Sequence, residues 1–460
     1  MNNKSDFIKS SFFYSVGIIG SKVVFFILVP IFSFFLSKQE LGEYDLILVS
    51  ITLITPLITL QVSDAVYRFL IQKEDKKSRK IIISTGLMVI AVGCLAFLLA
   101  VSILNRFLHY QLIFEFSLLQ LTFCGFFFFQ QVTRGLKTNQ WYALMGVINS
   151  LLVIALSLVT LIVFEMGLKG VLFSLIISQF ASIAIVMFMG GITAYITPSF
   201  VDFKIAKKLV TYSWPLLPNA ISWWLIDLGN RYVILFFLSE EYNGIFAIAS
   251  RYAGIVALVN SVFILTWQDF IISDKETHED SKSKASEIFK RFFIFELSFI
   301  TVLAALSKYI IQFTTDSDFH IASDYLPILL LSAGFSAFCA YFGAFYLKSK
   351  DTFGVFSTTI IGGIVNIIIG VSFINQIGLY AVAIGSLIGF ITTFLLRLNA
   401  FKLVINYKVF ALLLIFCFAV ILLKKMDNIY VSIGSIIISI IVFIVVNKSL
   451  ILKATKRTTN

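Results

Sequence analysis

The chain has 460 residues, of which 59% are hydrophobic and 13% charged. Soluble proteins carry about 25% charged residues, so composition excludes a soluble globular enzyme. The formal net charge of +11 then belongs to a protein facing anionic lipid, and calls for no nucleic acid.

Apolar runs of near-spanning length recur from end to end, without barrel-type alternation of polar and apolar residues. The sequence predicts an all-α polytopic membrane protein. Its first span, about 11–37, holds Lys22 at its centre and has no small-residue cleavage site after it. It reads as a retained helix and not as a signal peptide. Connecting segments follow at about 38–45, 72–80, 105–112, 137–141, 164–169 and 191–211, then at 239–244, 274–290, 312–325, 349–352, 375–378, 401–407 and 425–429. They divide the chain into fourteen spans, of which the thirteenth, about 408–424, is short for a bilayer; twelve is the alternative count. "FVDFKIAKKLV" (200–210) suits a short amphipathic helix along the inner surface, or a polar linker. "DKETHEDSKSKASEIFKR" (274–291) reads as a solvated linker.

With the N-terminus cytoplasmic and loops alternating, 27 of the 36 Lys and Arg residues fall on inner segments and the helix ends beside them. Six fall on outer loops, and Lys22, Arg231 and Arg251 lie inside spans. The positive-inside bias therefore places both termini in the cytoplasm. Cys94, Cys124, Cys339 and Cys417 are scattered singly in apolar runs, and His109, His278 and His320 fall in connecting segments. No metal-ligand spacing, nucleotide loop or nucleophile arrangement is present, so no metal, cofactor or catalytic residue is expected.

The chain echoes itself. "LSKQELGEYDLI" (36–47) follows span one and "LSEEYNGIFAIA" (238–249) follows span seven, 202 residues on. "FEMGLKG" (164–170) and "INQIGLYA" (374–381) both place Gly-Leu at the start of a helix, and "LK" at 136–137 returns at 347–348. This ordered set divides the protein into an N-lobe (1–200, spans 1–6), a C-lobe (201–400, spans 7–12) and an appended pair with a cytoplasmic tail (401–460). Six spans per lobe keep both lobes in one orientation, which predicts a pseudo-two-fold axis along the membrane normal and a cavity between them.

"SWWLIDLGNRYVILFF" (222–237) carries Asp227 and Arg231 within a span. A charge at the bilayer centre costs roughly 2.5–3.5 kcal/mol on insertion scales, so each needs a partner or a purpose. At i, i+4 the two share a helix face and can neutralise each other. With the outer loop at 239–244, helical rise puts Arg231 and Arg251 at equal depth, roughly 10 Å below the outer surface. A shared anion would satisfy both; Arg forks match phosphate oxygens and stay charged when desolvated. Lys22, near the middle of span one, either meets Asp227 or a ligand across the cavity or snorkels towards the interface. Asp64 and Arg68, also i, i+4, suit a surface ion pair or a second site. Gln130, Gln131, Trp223, Tyr232 and Asn219 are candidate lining groups or packing residues, and Glu296 and Asp269 are expected to be hydrated near the inner interface.

The stretch "YSWPLLPNAISWWLIDLGNRYVILFFLSEEYNGIFAIASRYA" (212–253) resembles the Wzx-type polysaccharide-unit flippases, in the superfamily of the MATE drug exporters and lipid II flippases. The resemblance spans essentially the whole chain. It rests on Ser213, Pro215, Leu216 and Pro218, on Asn230-Arg231, on Gly244-Ile245-Phe246 and on Arg251, with first-half counterparts in Pro30, Gly42-Glu43-Tyr44 and the "DAVYRF" that ends near Arg68. Asn230 stands where the family usually has an acid, and the basic residue often seen near the end of span one is missing around "FSFFLS". The resemblance implies a MATE-like fold and alternating access for an undecaprenyl-diphosphate-linked repeat unit, as of O-antigen or capsule, crossing the bacterial cytoplasmic membrane. It implies no enzyme activity. Substrate-binding residues would be Arg231, Arg251, Lys22 and Arg68, with Asp227 and Asp64 as charge partners or carriers of a coupled H⁺ or Na⁺. Partners would be the polyprenyl-linked glycan, membrane lipids, and a polysaccharide polymerase with its chain-length machinery. A lipid II or teichoic-acid-unit flippase and a MATE-like drug exporter are the alternatives.

Overall fold

The computed structural model describes residues 27–273, 278–349, 351–403, 406–424 and 428–448, and all regular structure among them is helical. Two compact units, Met1–Trp224 and Leu225–Asn460, divide the chain.

Unit one holds α1 (27–35), α2 (Lys38–Thr59), α3 (Val62–Leu70), α4 (Lys76–Leu108), α5 (Ile113–Gly135), α6 (Asn139–Leu158), α7 (Gly167–Met189), α8 (Phe203–Ser213) and most of α9 (Leu217–Asp227). A capping box starts α2, with the Ser37 side chain accepting from Glu40 N–H and the Glu40 carboxylate accepting from Ser37 N–H. Span two is broken between α2 and α3, where Leu60 and Gln61 both take left-handed backbone angles. Val62, Val66, Ile83, Phe128, Val132, Met145 and Val186 form the core, and Leu209 of α8 is part of it. The segment around 200–210 therefore folds as the amphipathic helix. Asp202 caps it by accepting from Lys204 N–H (2.7 Å), while Phe203, Lys204, Lys207 and Lys208 stay exposed. This helix packs within the first compact unit, which runs to Trp224.

Unit two holds α10 (Asn230–Phe237), α11 (Glu240–Ser273), α12 (His278–Thr314), α13 (Ala322–Ser349), α14 (Thr352–Ile377), α15 (Leu379–Phe401), α16 (Tyr407–Lys424) and α17 (Ile429–Val446). Its core is aromatic. Trp267 stacks on Tyr341 with centroids 4.2 Å apart, and Phe289 meets Phe338, Tyr341, Phe342 and Phe394. Between α14 and α15 the backbones approach closely: a Cβ on Gly389 would lie 2.6 Å from the Gly362 carbonyl. The expected linker at 274–291 is largely helix, since α12 begins at His278 and a Glu287–Arg291 pair (3.0 Å) supports its first turns.

Among the described residues, eleven helices are long and apolar enough to cross a membrane. Of the other three expected spans, the first lies mostly outside the described residues. The seventh is split into α9 and α10, and the thirteenth is the short apolar stretch Tyr407–Leu423.

Candidate functional site

The seventh span is helical up to Asp227 and again from Asn230. Across the break the backbone tightens to i→i+3 bonds, from Arg231 N–H to Leu228 O (3.2 Å) and from Tyr232 N–H to Gly229 O (3.2 Å). That shift leaves two carbonyls without their helical donors, and side chains replace them. The Asn366 amide donates to Ile226 O (3.0 Å), and Arg231 Nη1 donates to Asp227 O (3.1 Å). In a membrane such replacement is what lets a helix stay broken.

Arg231 is buried, and its guanidinium lies over the Phe246 ring, 5.1 Å from the centroid. It is also the charged neighbour of the exposed Asp227 carboxyl. The i, i+4 spacing thus brings these two residues together, with the hydrogen bond on the backbone oxygen.

Equal depth for Arg231 and Arg251 is not found. The expected loop 239–244 is helical from Glu240, because Leu238 and Ser239 alone make the turn. Six residues separate Arg231 from the end of α10, and six separate Glu240 from Phe246, so the residue level with Arg231 is Phe246. Half-buried Arg251 lies five residues further along α11, about 7.5 Å deeper and about 140° round the helix.

In unit one, Asp64 and Arg68 do not pair. Asp64 Oδ1 accepts from the Gln131 amide (3.0 Å), its charged neighbour is Arg134, and Arg68 is exposed. Arg134 also covers the Tyr67 ring at 4.3 Å. Among the candidate lining groups, Gln131 is committed to Asp64. Lys22 lies outside the described residues, and so does the side chain of Asp269.

Asn230, at the position of the family's usual acid, is buried and donates to Ser386 Oγ (2.5 Å) and Val382 O (3.3 Å) of α15. It ties the broken span to the bundle. The burial of Arg397 and Glu296, both in unit two, escaped the sequence reading. Arg397 is fully buried and donates to Cys339 O (2.6 Å), Thr359 Oγ1 (2.9 Å) and Thr358 Oγ1 (3.1 Å). Glu296, expected to be hydrated, is fully buried, since α11 and α13 cover it. The signal available for both was a charge just inside an apolar run, which charge counting assigns to the interface. No cluster of three or more metal-ligating side chains occurs among the described residues.

Helices long and apolar enough to cross a membrane, recurring through the described residues, define a multi-pass membrane protein. Residues 7–267, more than half of the chain, match the family described as "Polysaccharide biosynthesis protein", and the protein belongs to that family. Its fold is similar to that of "Lipid II flippase MurJ, inward closed conformation", with a TM-score of 0.70 and 20% identity over 96% of this chain and 100% of that one. It is also similar to an inward-facing multidrug resistance MATE family transporter of the MOP superfamily (TM-score 0.60, 17% identity, 83% of this chain and 95% of that one). At these identities the likeness is one of fold, and it is the fold the resemblance implied. No curated protein sequence matches the chain.

Proposed function

We propose that the protein moves undecaprenyl-diphosphate-linked polysaccharide repeat units from the inner to the outer leaflet of the bacterial cytoplasmic membrane by alternating access. The observation that carries this reading is the family match in a chain built mostly of membrane-spanning helices. Such a protein handles its polysaccharide at the bilayer, where the glycan is tethered to lipid. In this reading Arg231 and Arg251 take the diphosphate. A diphosphate has two phosphoryl groups, so guanidiniums at different depths can each engage one, with bidentate forks that survive desolvation. The polyprenyl chain stays in lipid while the sugars pass. An inside-negative potential favours outward movement of the anion by about 2.3 kcal/mol per charge per 100 mV. Both termini are cytoplasmic, and a polysaccharide polymerase with its chain-length machinery receives the product outside.

Similarity along the whole chain to a lipid II flippase favours a second reading, with a lipid II or teichoic-acid glycan on the same carrier. Export of cationic drugs fits less well, because the ionisable group buried at the broken span is a guanidinium. The test is complementation. In the native host, deletion of the gene should abolish surface polysaccharide and leave its lipid-linked repeat unit in the inner leaflet, and the wild-type gene should restore export. Rescue of a lipid II flippase deletion, with surface polysaccharide untouched in the native host, selects the second reading.

A further inference from the structure

Among the described residues of unit two, Glu296 of α12 is the buried carboxyl, with no measurable exposure. Asn260 of α11 donates to its Oε1 (2.8 Å), and Oε2 has no hydrogen-bond partner. Its neighbours a turn away on α12 are Phe292, Phe293, Phe299 and Ile300. From α13 comes Gly334, where a Cβ would lie 3.8 Å from Oε1. The group that α17 turns to this part of α12 is Asn447, donating to Ser298 Oγ (2.9 Å), and α16 turns Cys417 to Thr301. Of these facing groups only Cys417 is titratable, and none is charged. The nearest charges on α12 itself, Lys290 and Arg291, lie towards its exposed start, where Arg291 pairs with Glu287.

A buried carboxylate ion needs several donors or a cation, whereas a neutral acid is content with far less. Asn260 gives one donor, to the oxygen that is the carbonyl of a protonated acid. We propose that Glu296 is a proton-binding site tied to the conformational cycle. It is a carboxylic acid in the packed conformation described here and ionises when α11 and α12 part enough to admit water. One O–H bond breaks, the proton passes from Oε2 to water, and the electron pair stays on the carboxylate. Because the packed conformation holds the extra proton, acidic pH favours it and alkaline pH favours the opened one. The purpose of the site, coupling protons to transport, rests on the reading above; the protonation itself does not.

Infrared difference spectra of the purified full-length protein in lipid nanodiscs, without substrate, test this between mildly acidic and alkaline pH. The carbonyl stretch of a protonated carboxylic acid should vanish as pH rises, and Glu296→Gln should lack that band. Asn260→Leu removes a donor that favours the anion, so it should move the loss of the band to higher pH, an outcome that does not depend on Glu296→Gln folding. Spin labels at Tyr242→Cys and Phe313→Cys, both exposed, should report distances that change with pH in wild type and stay at the acidic distribution in Glu296→Gln. A carboxylate at every pH, an unmoved band in Asn260→Leu, or distances that follow sodium and ignore pH would overturn the proposal. An ionised Glu296 leaves the flippase reading standing, and a failed complementation leaves these spectra unchanged.

Discussion

Arg231, Arg251 and Arg397 all lie within apolar sequence, and burial and bonding separate them. Arg397 donates to a carbonyl and two hydroxyls inside unit two, which suits a residue that holds α13, α14 and α15 together. Arg397→Ala removes three hydrogen bonds from a charged donor, about 1.5–3 kcal/mol each, so it should lower the thermal unfolding temperature and the amount of protein in the membrane. Arg231 has two duties, since it also replaces a lost helical donor at Asp227 O. Arg231→Ala should therefore cost some stability together with transport. Half-buried Arg251 should lose transport when replaced by alanine. A hydrogen bond to a charged group is worth about 1.5–3 kcal/mol, so loss of either phosphate contact should slow transport roughly ten- to hundredfold. The two alanine effects should fall short of additive, because one missing arm already misplaces the shared anion. Lysine at either position should restore only part, keeping the charge without the fork. Export in the deletion strain, normalised to membrane protein level, measures all of this. Full rescue by Asp227→Asn with Arg231→Gln would reduce the pair to mutual neutralisation. The sequence exposed Arg231 because a mid-span charge has no bland explanation; it concealed Arg397 and Glu296 because they lie near the ends of apolar runs, and only packing shows which way such a side chain turns.

Among the elements, the sequence echoes coincide with structural punctuation. Leu36 and Leu238 bend the chain, Ser37 and Ser239 follow, and helices start at Lys38 and Glu240. Gly167 and Gly378, the glycines of the second echo, both have positive φ (54° and 56°) at the starts of α7 and α15. Positive φ is strained for a residue with a Cβ, and Gly378 combines it with ψ −136°, a region nearly closed to other residues. Nothing stands within 4 Å of where its Cβ would be, whereas a Cβ on Gly167 would lie 2.6 Å from Glu40 Oε1. Gly378→Ala should thus report backbone strain alone, about 1–3 kcal/mol. Gly167→Ala should add the cost of displacing Glu40, which accepts from Leu168 N–H at 3.3 Å. Unfolding of each purified variant measures the difference, and equal or negligible losses would sever these turns from the echo. Helix breaks were less legible. Leu60-Gln61 carries no glycine or proline to announce it, and the α9–α10 break at Leu228-Gly229 is held open in part by Asn366, distant in sequence.

Across the whole molecule, orientation follows from where charge and helix length exceed the membrane. Helix α12 has 37 residues, about 55 Å at helical rise, against a hydrocarbon core of about 30 Å. Its excess cannot be apolar and is not: Lys282, Lys284, Lys290 and Arg291 occupy the first turns, and Lys308 is the one basic residue near the far end. The exposed Glu287–Arg291 pair marks the same end as watery. Together with the 27 inner against six outer basic residues, this is the bias expected if the start of α12 is cytoplasmic and the turn after it is outside. Ser283 and Ser317 are both exposed at these two ends, and Cys124, Cys339 and Cys417 are buried while Cys94 is partly so. In a background with the native cysteines replaced, Ser317→Cys should react with a membrane-impermeant maleimide on intact cells. Ser283→Cys should react only after the inner membrane is opened. The opposite labelling would invert the protein, put its termini outside, and turn the electrical drive on a diphosphate against export.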